Sequence, residues 1–319
     1  MLSRVAENLY WMSRYLERAE HTARLIDVHL NLMLDQSPTS AVPRWGRLLA
    51  SLQIPSTADV GDVYGLTQKL TFDLSNHNSI VACIAAAREN ARQVREQISS
   101  EMWEQLNRLF LQVKGASMDT IWNAQPHEFF HIVKEGSHLF QGITDSTMSH
   151  GEGWHFIQVG RFIERICATA ALMDLYFSQF PDSQDQSVAA RNYLEWVGFL
   201  KSCTAFEAYC KIYTASLRPG SMAEFLLLNP EFPRSIRFAA DMIQAALHAI
   251  AESTGTREAG RVNRLAGRLR AALSFGQIDE IMAGGLHAYL EDIQRQCAQI
   301  HTAIYQIYIT YPIESALAL

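Results

Sequence analysis

The chain contains one helical segment twice. Residues 14–27, RYLERAEHTARLID, recur at residues 161–174 as RFIERICATAALMD, with seven identities in fourteen positions. Chance matching at average composition would give about one identity. Shorter matches follow in the same order, from Trp45 and Trp196 to His131 and His287. We therefore predict two homologous units, 1–150 and 151–319, packed as one globular body about a pseudo-twofold axis.

Apolar residues recur at three- and four-residue intervals, and no alternating strand pattern is found. This periodicity predicts an all-α helical bundle. Glycine, proline and short polar runs interrupt it and mark the connections between helices. The predicted helices span residues 2–34, 44–53, 62–74, 79–99, 101–123, 127–147, 152–179, 188–216, 221–228, 234–253, 257–274 and 277–310.

Composition narrows the class of protein. The net charge of −6 argues against a general nucleic-acid binder, whose affinity rests on a cationic surface. Five cysteines occur without a CxxC pair and stand mostly among apolar residues, as small core residues do in a reducing compartment. The amino-terminal stretch is broken by charges, and no run of 18 apolar residues occurs. We therefore expect a cytoplasmic protein that neither spans a membrane nor binds nucleic acid.

The first helix of each unit is apolar on two opposite sides. In helix 2–34 one side forms an apolar stripe from Val5 to Leu30. The opposite side, which a surface helix would expose to water, also carries large apolar residues from Tyr10 to Leu32. Set among them, and in the matching helix 152–179, are the charged and polar residues Glu7, Arg14, Glu17, Arg18, His21, Arg161, Glu164 and Arg165. Because a helix apolar on both sides is buried on both sides, we expect these groups inside the protein or lining a cleft.

Buried charges must be paired, because an isolated one is costly. Arg14 stands three residues before Glu17, and Arg161 stands three before Glu164, so each pair can meet on its own helix. The repeated motifs hold four arginines and two glutamates, which leaves two surplus positive charges. Water or an anionic ligand could balance this surplus, as could the neighbouring acids Glu7, Glu20, Asp27, Asp145 and Asp174.

Three interpretations of this candidate centre follow. It could be an internal ion-pair network that locks the two units together. It could be a site for a carboxylate or another anion, since the planar arginine fork suits both carboxylate and phosphate. It could also hold a glutamate that acts in acid–base catalysis, although the sequence identifies no catalytic residue.

A second motif, His127-Glu128-Phe129-Phe130-His131, has the HExxH form of zinc hydrolases. Pro126 places His127 in the first turn of its helix, and the second unit has Ala283 and Gly284 at the corresponding positions. The expectation is therefore no metal, with a hydrolase or other enzyme using a metal at His127, Glu128 and His131 as the alternative.

A third feature is the segment Pro233-Arg234-Ser235, which opens a predicted helix. Free N–H groups at a helix start, together with an arginine, could hold an anion, so Arg234 and Ser235 form a secondary anion candidate. Ser235 could equally be a helix cap, and Asn78-Ser79 stands in the corresponding place of the first unit.

The segments MLSRVAENLYWMSRYLERAEHTARLID, GITDSTMSHGEGWHFIQVGRFIERICATAALMD and FLLLNPEFPRSIRF resemble the bacterial Alpha-E family, a helical domain named for its Glu-Arg motif. The motif falls on Glu17-Arg18 and Glu164-Arg165. Members tend to be encoded beside circularly permuted ATP-grasp proteins and transglutaminase-like proteins. The resemblance thus implies an auxiliary protein that partners an ATP-grasp-type amide ligase or peptide-modification system, with a transglutaminase-like protein as a further candidate partner. We expect no cofactor.

The leading hypothesis is therefore an auxiliary protein rather than an enzyme. It would hold a carboxylate-bearing peptide or metabolite at its Glu-Arg centre. The alternatives are the metal-dependent enzyme described above and a purely structural interaction scaffold.

Overall fold

The computed structural model describes residues 1–34, 41–54, 62–123, 125–180, 186–214, 216–255 and 259–310. In these ranges all regular structure is helical and no strand occurs, so the all-α prediction is confirmed. The α-helices are α1 (Ser3–Leu34), α2 (Ala41–Ser51), α3 (Val63–Thr71), α4 (Ile80–Gln93), α5 (Ser100–Lys114), α6 (Met118–Asn123), α7 (Pro126–Thr147), α8 (Glu152–Gln179), α9 (Gln186–Ser202), α10 (Phe206–Tyr213), α11 (Pro219–Leu228), α12 (Ile236–Thr254), α13 (Ala259–Phe275), α14 (Ile278–Gly284) and α15 (Leu286–Ile304). A 3-10 turn follows α4 at Arg95–Gln97, and a π-helical turn follows α15 at Tyr305–Ile309.

Helices α1 and α8 form the centre of the fold. They are the longest helices, with 32 and 28 residues, and they pack against each other. Helices α4 and α7 flank α1, while α12 and α15 flank α8. Leu9 and Ile26 on one side of α1 are fully buried, and so are Tyr10 and Leu25 on the other. The prediction that both sides of this helix are covered is confirmed.

Helices α1 and α8 approach most closely at Gly160. A Cβ atom at this position would lie 2.3 Å from both Ser13 Oγ and Tyr10 O. The second of these is a backbone atom, so it cannot be moved without shifting helix α1. Glycine therefore sets the distance between the two central helices.

Three of the predicted helices are each divided into two α-helices in the structure. The predicted helix 101–123 is interrupted after Lys114, where the Ser117 hydroxyl accepts from Thr120 N at 3.3 Å and starts α6. The predicted helix 188–216 ends at Ser202, because Thr204 takes a φ of 54°. The predicted helix 277–310 breaks at Gly285, whose φ is 99°. A residue with positive φ cannot continue a right-handed helix. The apolar periodicity of the sequence is undisturbed at both positions, so it did not predict these breaks.

Within the described ranges, no helix has both the length and the apolar character needed to cross a bilayer. Residues 311–319, the end of the second predicted unit, lie outside those ranges.

We expect Gly160→Ala to lower the free energy of unfolding by about 1–3 kcal/mol, because the added methyl group must push α1 away from α8. Urea denaturation would measure this. Gly142→Ala on α7 is the matched control, because nothing lies within 4 Å of the new methyl group. This control should be neutral or slightly stabilising, since alanine favours a helix over glycine. Equal stability of both variants would contradict the close contact.

Candidate functional site

Three ion pairs join α1 to α8, and they run in both directions between the helices. Arg165 of α8 donates from Nε and Nη2 to the two carboxylate oxygens of Glu17, at 2.7 and 2.9 Å. In the other direction, Arg18 Nε donates to Glu164 Oε1 at 2.6 Å, and Arg14 Nε donates to Glu164 Oε2 at 2.8 Å. Each glutamate is thus held by arginine from the other helix. The expected pairs along one helix, Arg14 with Glu17 and Arg161 with Glu164, are replaced by these pairs between helices.

These pairs are shielded from water. The Glu17 side chain is 1% exposed and that of Glu164 is 12% exposed. Burial opposes ionisation, but the guanidinium groups of Arg165 and Arg234 outweigh it and hold the pKa of Glu17 well below its ordinary value. Burial is likewise outweighed at Glu164, whose pKa is lowered by Arg14 and Arg18. Both glutamates are therefore ionised at neutral pH.

The centre extends beyond the repeated motifs. Arg234, in the turn before α12, donates from Nη2 to Glu20 Oε2 at 2.8 Å, and its Nη1 lies 3.5 Å from Glu17 Oε1. Arg24 forms an ion pair with Glu20 within α1. Arg24 was not predicted as part of the centre, since it lies outside the repeated Glu-Arg motif and matches Ala171 in the second copy. Glu20 was one of the acids expected to balance the centre.

Ser235 is an amino-terminal cap. Its hydroxyl accepts from Phe238 N at 3.0 Å, at the start of α12. Arg234 beside it is engaged by Glu20 and Glu17. In this geometry the segment predicted as a secondary anion candidate contributes one arginine to the centre and one helix cap.

The remaining predicted residues take different positions. Glu7 accepts from the Tyr305 hydroxyl at 3.1 Å, near the start of α1. Arg161 is largely buried, and its Nη1 lies 4.0 Å from Asp145 Oδ2. Burial lowers the pKa of Arg161 to about 10. His21 is buried beside the centre, and burial with the positive charge of Arg234 lowers its pKa to about 4, so it is neutral.

Positive charge exceeds negative charge at this centre. Six arginines and four carboxylates meet there in the described part of the chain, which leaves a surplus of two positive charges. These residues are Arg14, Arg18, Arg24, Arg161, Arg165 and Arg234 against Glu17, Glu20, Glu164 and Asp145. The acids Glu20 and Asp145 do join the centre, but Arg24 and Arg234 join it too. The structure therefore has the same surplus that the repeated motifs alone predict.

A pocket of about 190 Å³ opens beside the centre. Its walls come from α1, α8, the turn after α2 and the loop before α4, as Arg18, His21, Thr22, Ser51, Leu52, Gln53, Ile54, Asn78, Glu164, Cys167, Ala168 and Ala171. His21 Nε2 and Thr22 Oγ1 are buried in this wall and have no hydrogen-bond partner among the described residues. Buried polar atoms left unpaired are costly, so this wall favours a ligand with polar atoms.

The HExxH residues lie away from this pocket. His127 Nδ1 is 2.7 Å from Asp27 Oδ1, and Asp27 also binds Lys134. His131 and Glu128 are exposed, and His131 Nε2 lies 3.0 Å from Glu135 Oε1. Within the ranges that the structure describes, no three His, Cys, Asp or Glu side chains gather as a metal site would require. The metal alternative therefore lacks a third ligand there.

Sequence reasoning missed a second buried ion pair. Arg44 of α2 donates from Nε and Nη2 to Glu195 Oε1 of α9, at 2.8 and 2.7 Å. Arg47 donates to the other carboxylate oxygen at 2.7 Å. The signal was present in the repeat, because Arg44 precedes Trp45 as Glu195 precedes Trp196.

The fold and the centre define an all-helical protein built around buried Glu-Arg pairs. The Alpha-E family, described as a predicted alpha-helical domain with a conserved ER motif, matches residues 1–309, and the chain belongs to this family. Similar proteins include an uncharacterized protein of Mycobacterium bovis and one of Mycobacterium tuberculosis. Each is 25% identical over 325 aligned residues, which cover 94% of this chain and 35% of the relative. The chain thus spans about a third of the length of these relatives. No solved structure matches it.

We expect Glu17→Gln to lower the free energy of unfolding by about 3–5 kcal/mol, because Arg165 would keep a buried charge without its partner. Urea denaturation at neutral pH would measure this. Glu89→Gln is the control, since Glu89 forms an exposed pair with Arg92 on one helix and should change stability little. If both variants lost the same stability, the buried pair would have no special role.

The free energy of unfolding should also decrease as pH falls, over a pH range set by the buried histidines. Burial lowers the pKa of His21 and of His29 to about 4. In the unfolded chain histidine binds a proton below about pH 6.5. The stabilisation is therefore present above pH 6.5 and is lost as pH falls towards 4, by an amount of the order of 3 kcal/mol for one fully buried histidine.

Denaturation of His21→Gln across pH 4–7 tests this, since the variant should show a shallower loss than the parent chain. His248→Gln is the control, because His248 is 66% exposed and should leave the pH profile unchanged. Identical profiles for the parent and His21→Gln would contradict a buried neutral His21.

Proposed function

We propose that this protein is a non-catalytic auxiliary protein that binds a small carboxylate at its Glu-Arg centre and works beside an ATP-grasp-type amide ligase. A transglutaminase-like protein is a second partner in this proposal. The observation that carries it is the pocket beside Arg18, where surplus positive charge meets unpaired polar atoms. Arginine binds carboxylates through paired, charge-assisted hydrogen bonds, so an anion would neutralise the surplus.

The ionisation of the centre favours binding over acid–base chemistry. A general acid or base works best when its pKa lies near the working pH. Glu17 and Glu164 have lowered pKa values and stay ionised, while the pKa of His21 is about 4, so none of them titrates near neutral pH. Arg18 also stays charged, because Glu164 outweighs burial and raises its pKa.

The proposed partnership rests on the family resemblance and on chemistry. An amide ligase activates a carboxylate, so a companion that holds a carboxylate-bearing peptide or metabolite would present or retain its substrate. The extent of the match supports a role beside other domains, because the mycobacterial relatives carry nearly two thirds of their length outside it.

We also propose that residues 1–150 and 151–319 are two copies of one unit about a pseudo-twofold axis. The turns after α2 and α9 support this. Ile54 N donates to Leu49 O at 2.9 Å, and at the matching positions Ala205 N donates to Leu200 O at 2.7 Å. The residue before each donor, Gln53 or Thr204, has a φ of 56° or 54°.

Contacts between matching positions support the same symmetry. Ser13 matches Gly160 in the repeat, and these two residues face each other where α1 crosses α8. Arg44 matches Glu195, and their side chains form the ion pair between α2 and α9. Matching residues can touch each other only close to a twofold axis, so both contacts favour an axis that runs through the centre.

Reconstitution tests the functional proposal. The chain would be mixed with an ATP-grasp-type ligase from the same genome, and ATP turnover would be followed with and without candidate carboxylates. We expect faster turnover with the parent chain than with Arg18→Gln, because the variant loses the charge that receives the carboxylate. Glu89→Gln should behave as the parent does.

Thermal denaturation separates binding from a scaffold role. A bound carboxylate should raise the melting temperature of the parent chain, because a ligand that binds only the folded state stabilises it. If no carboxylate raised the melting temperature and the ligase were unaffected, the proposed function would be rejected in favour of a structural scaffold.

A further inference from the structure

We infer that the pocket beside Arg18 receives the carboxylate of one amino-acid-sized ligand, and that it is the open counterpart of the cluster of charged side chains around Glu17. This inference rests on the proposed carboxylate binding and duplication. It adds the location of the ligand, its size class and a structural reason for the pocket beside Glu164.

The pocket follows from three differences between two matching sites of the centre, one around Glu17 and one around Glu164. In the repeat, Arg18 matches Arg165 and Glu164 matches Glu17, so both sites have the same inner ion pair. The outer positions differ: Arg234, Glu20 and Arg24 at the Glu17 site correspond to Asn78, Cys167 and Ala171 at the Glu164 site. The three long charged residues bind one another beside Glu17. The three shorter residues line the pocket beside Glu164.

The Glu17 site shows what chemistry the Glu164 site would accept. There the Glu20 carboxylate is received by the guanidinium groups of Arg234 and Arg24. At the Glu164 site Cys167 stands where Glu20 would be, so the pocket wall supplies no carboxylate at that point. A ligand carboxylate would therefore take the part that the Glu20 side chain plays at the Glu17 site.

Arg18 is placed to receive that carboxylate. Its Nε donates to Glu164 and its Nη1 donates to Asn78 Oδ1 at 2.7 Å, while Nη2 makes no hydrogen bond within the described residues. The side chain is 25% exposed, so a ligand can reach it. Glu164 does not neutralise it fully, because Glu164 also binds Arg14.

His21 and Thr22 would fix the ligand beyond its carboxylate. The Nε2 atom of His21 and the hydroxyl of Thr22 are buried in the pocket wall and unpaired among the described residues. Ile54, Ala168 and Ala171 supply an apolar surface next to them. An amide or amino group together with a short side chain fits this lining.

The volume sets the size of the ligand. The pocket measures about 190 Å³, somewhat more than the cavity of about 150 Å³ that holds benzene in an engineered protein. A molecule of roughly seven to ten non-hydrogen atoms therefore fits. A free amino acid and the carboxyl-terminal residue of a peptide both satisfy this size and carry the required carboxylate.

Calorimetric titration of the full chain tests the inference with defined probes. N-acetyl-L-alanine, L-alanine and tri-L-alanine each carry a carboxylate, and N-acetyl-L-alanine amide does not. We expect the carboxylates to bind about tenfold or more tightly than the amide, as a hydrogen bond to a charged group implies. Tighter binding of the peptide and the acetylated probe would identify a peptide terminus, and tighter binding of L-alanine would identify a free amino acid; either result supports the site.

Two variants locate the binding. Asn78→Arg together with Cys167→Glu would place two of the three charged residues of the Glu17 site at the Glu164 site, and we expect it to abolish binding while the protein stays folded. Thr22→Val should weaken binding about tenfold with little change in shape. The matching variant Thr169→Val in unit 151–319 is the control and should bind as the parent does.

The outcomes separate the two proposals. If the parent binds carboxylates and the double variant binds them equally well, the pocket is not the site, although carboxylate binding elsewhere at the centre would stand. If the parent binds none of these carboxylates, this inference fails, and the proposed function fails with it only if the ligase is also unaffected by the parent chain. The melting temperature of each variant should be close to that of the parent, which shows that loss of binding is not loss of fold. If the double variant is unfolded, weaker binding by Thr22→Val than by Thr169→Val would support the pocket as the site, and equal binding by both would reject it.

Discussion

The structure depends on two buried glutamates that are each held by arginine from the opposite central helix. Removing a carboxylate and a guanidinium from water costs several kcal/mol for each ion, and only close pairing with further hydrogen bonds offsets it. The pairs of Glu17 with Arg165 and of Glu164 with Arg18 therefore fix both the register and the rotation of α1 against α8. A slide of one helical turn would leave all of these charges buried without partners.

The centre also sets the electrostatics of the interior. Its surplus of positive charge adds to burial in lowering the pKa of Arg24 to about 9 and that of His138 to about 4. These groups repel one another, so the positive charge of the centre is not fully balanced by the described carboxylates. Under the proposed function, the residues that hold the fold together would also attract a negatively charged ligand.

The sequence predicted the helical class, the two-sided burial of α1 and the charged groups at its centre, because each leaves a local pattern. Helical periodicity and the repeated motif are visible without knowing the fold. The ion-pair partners could not be predicted in this way. Arg14 is spaced to reach Glu17 on its own helix, but in the structure it pairs with Glu164 on α8. The contribution of Arg24 and the pocket itself also depend on how α8, α12 and the turn after α2 meet. The breaks at Thr204 and Gly285 were missed because a single residue with positive φ does not disturb the apolar pattern around it.

The ion pair between Arg44 and Glu195 bears on how such a protein could have arisen. Under the proposed duplication these two residues occupy the same position in the two halves. In a symmetric dimer of identical subunits that position would place two arginines, or two glutamates, against each other, and like charges would repel at the axis. Opposite charges can meet there only when the two halves differ in sequence. Under this proposal, joining the two copies in one polypeptide would have made available an attraction that no self-paired ancestor could form, and separation into identical chains would lose it.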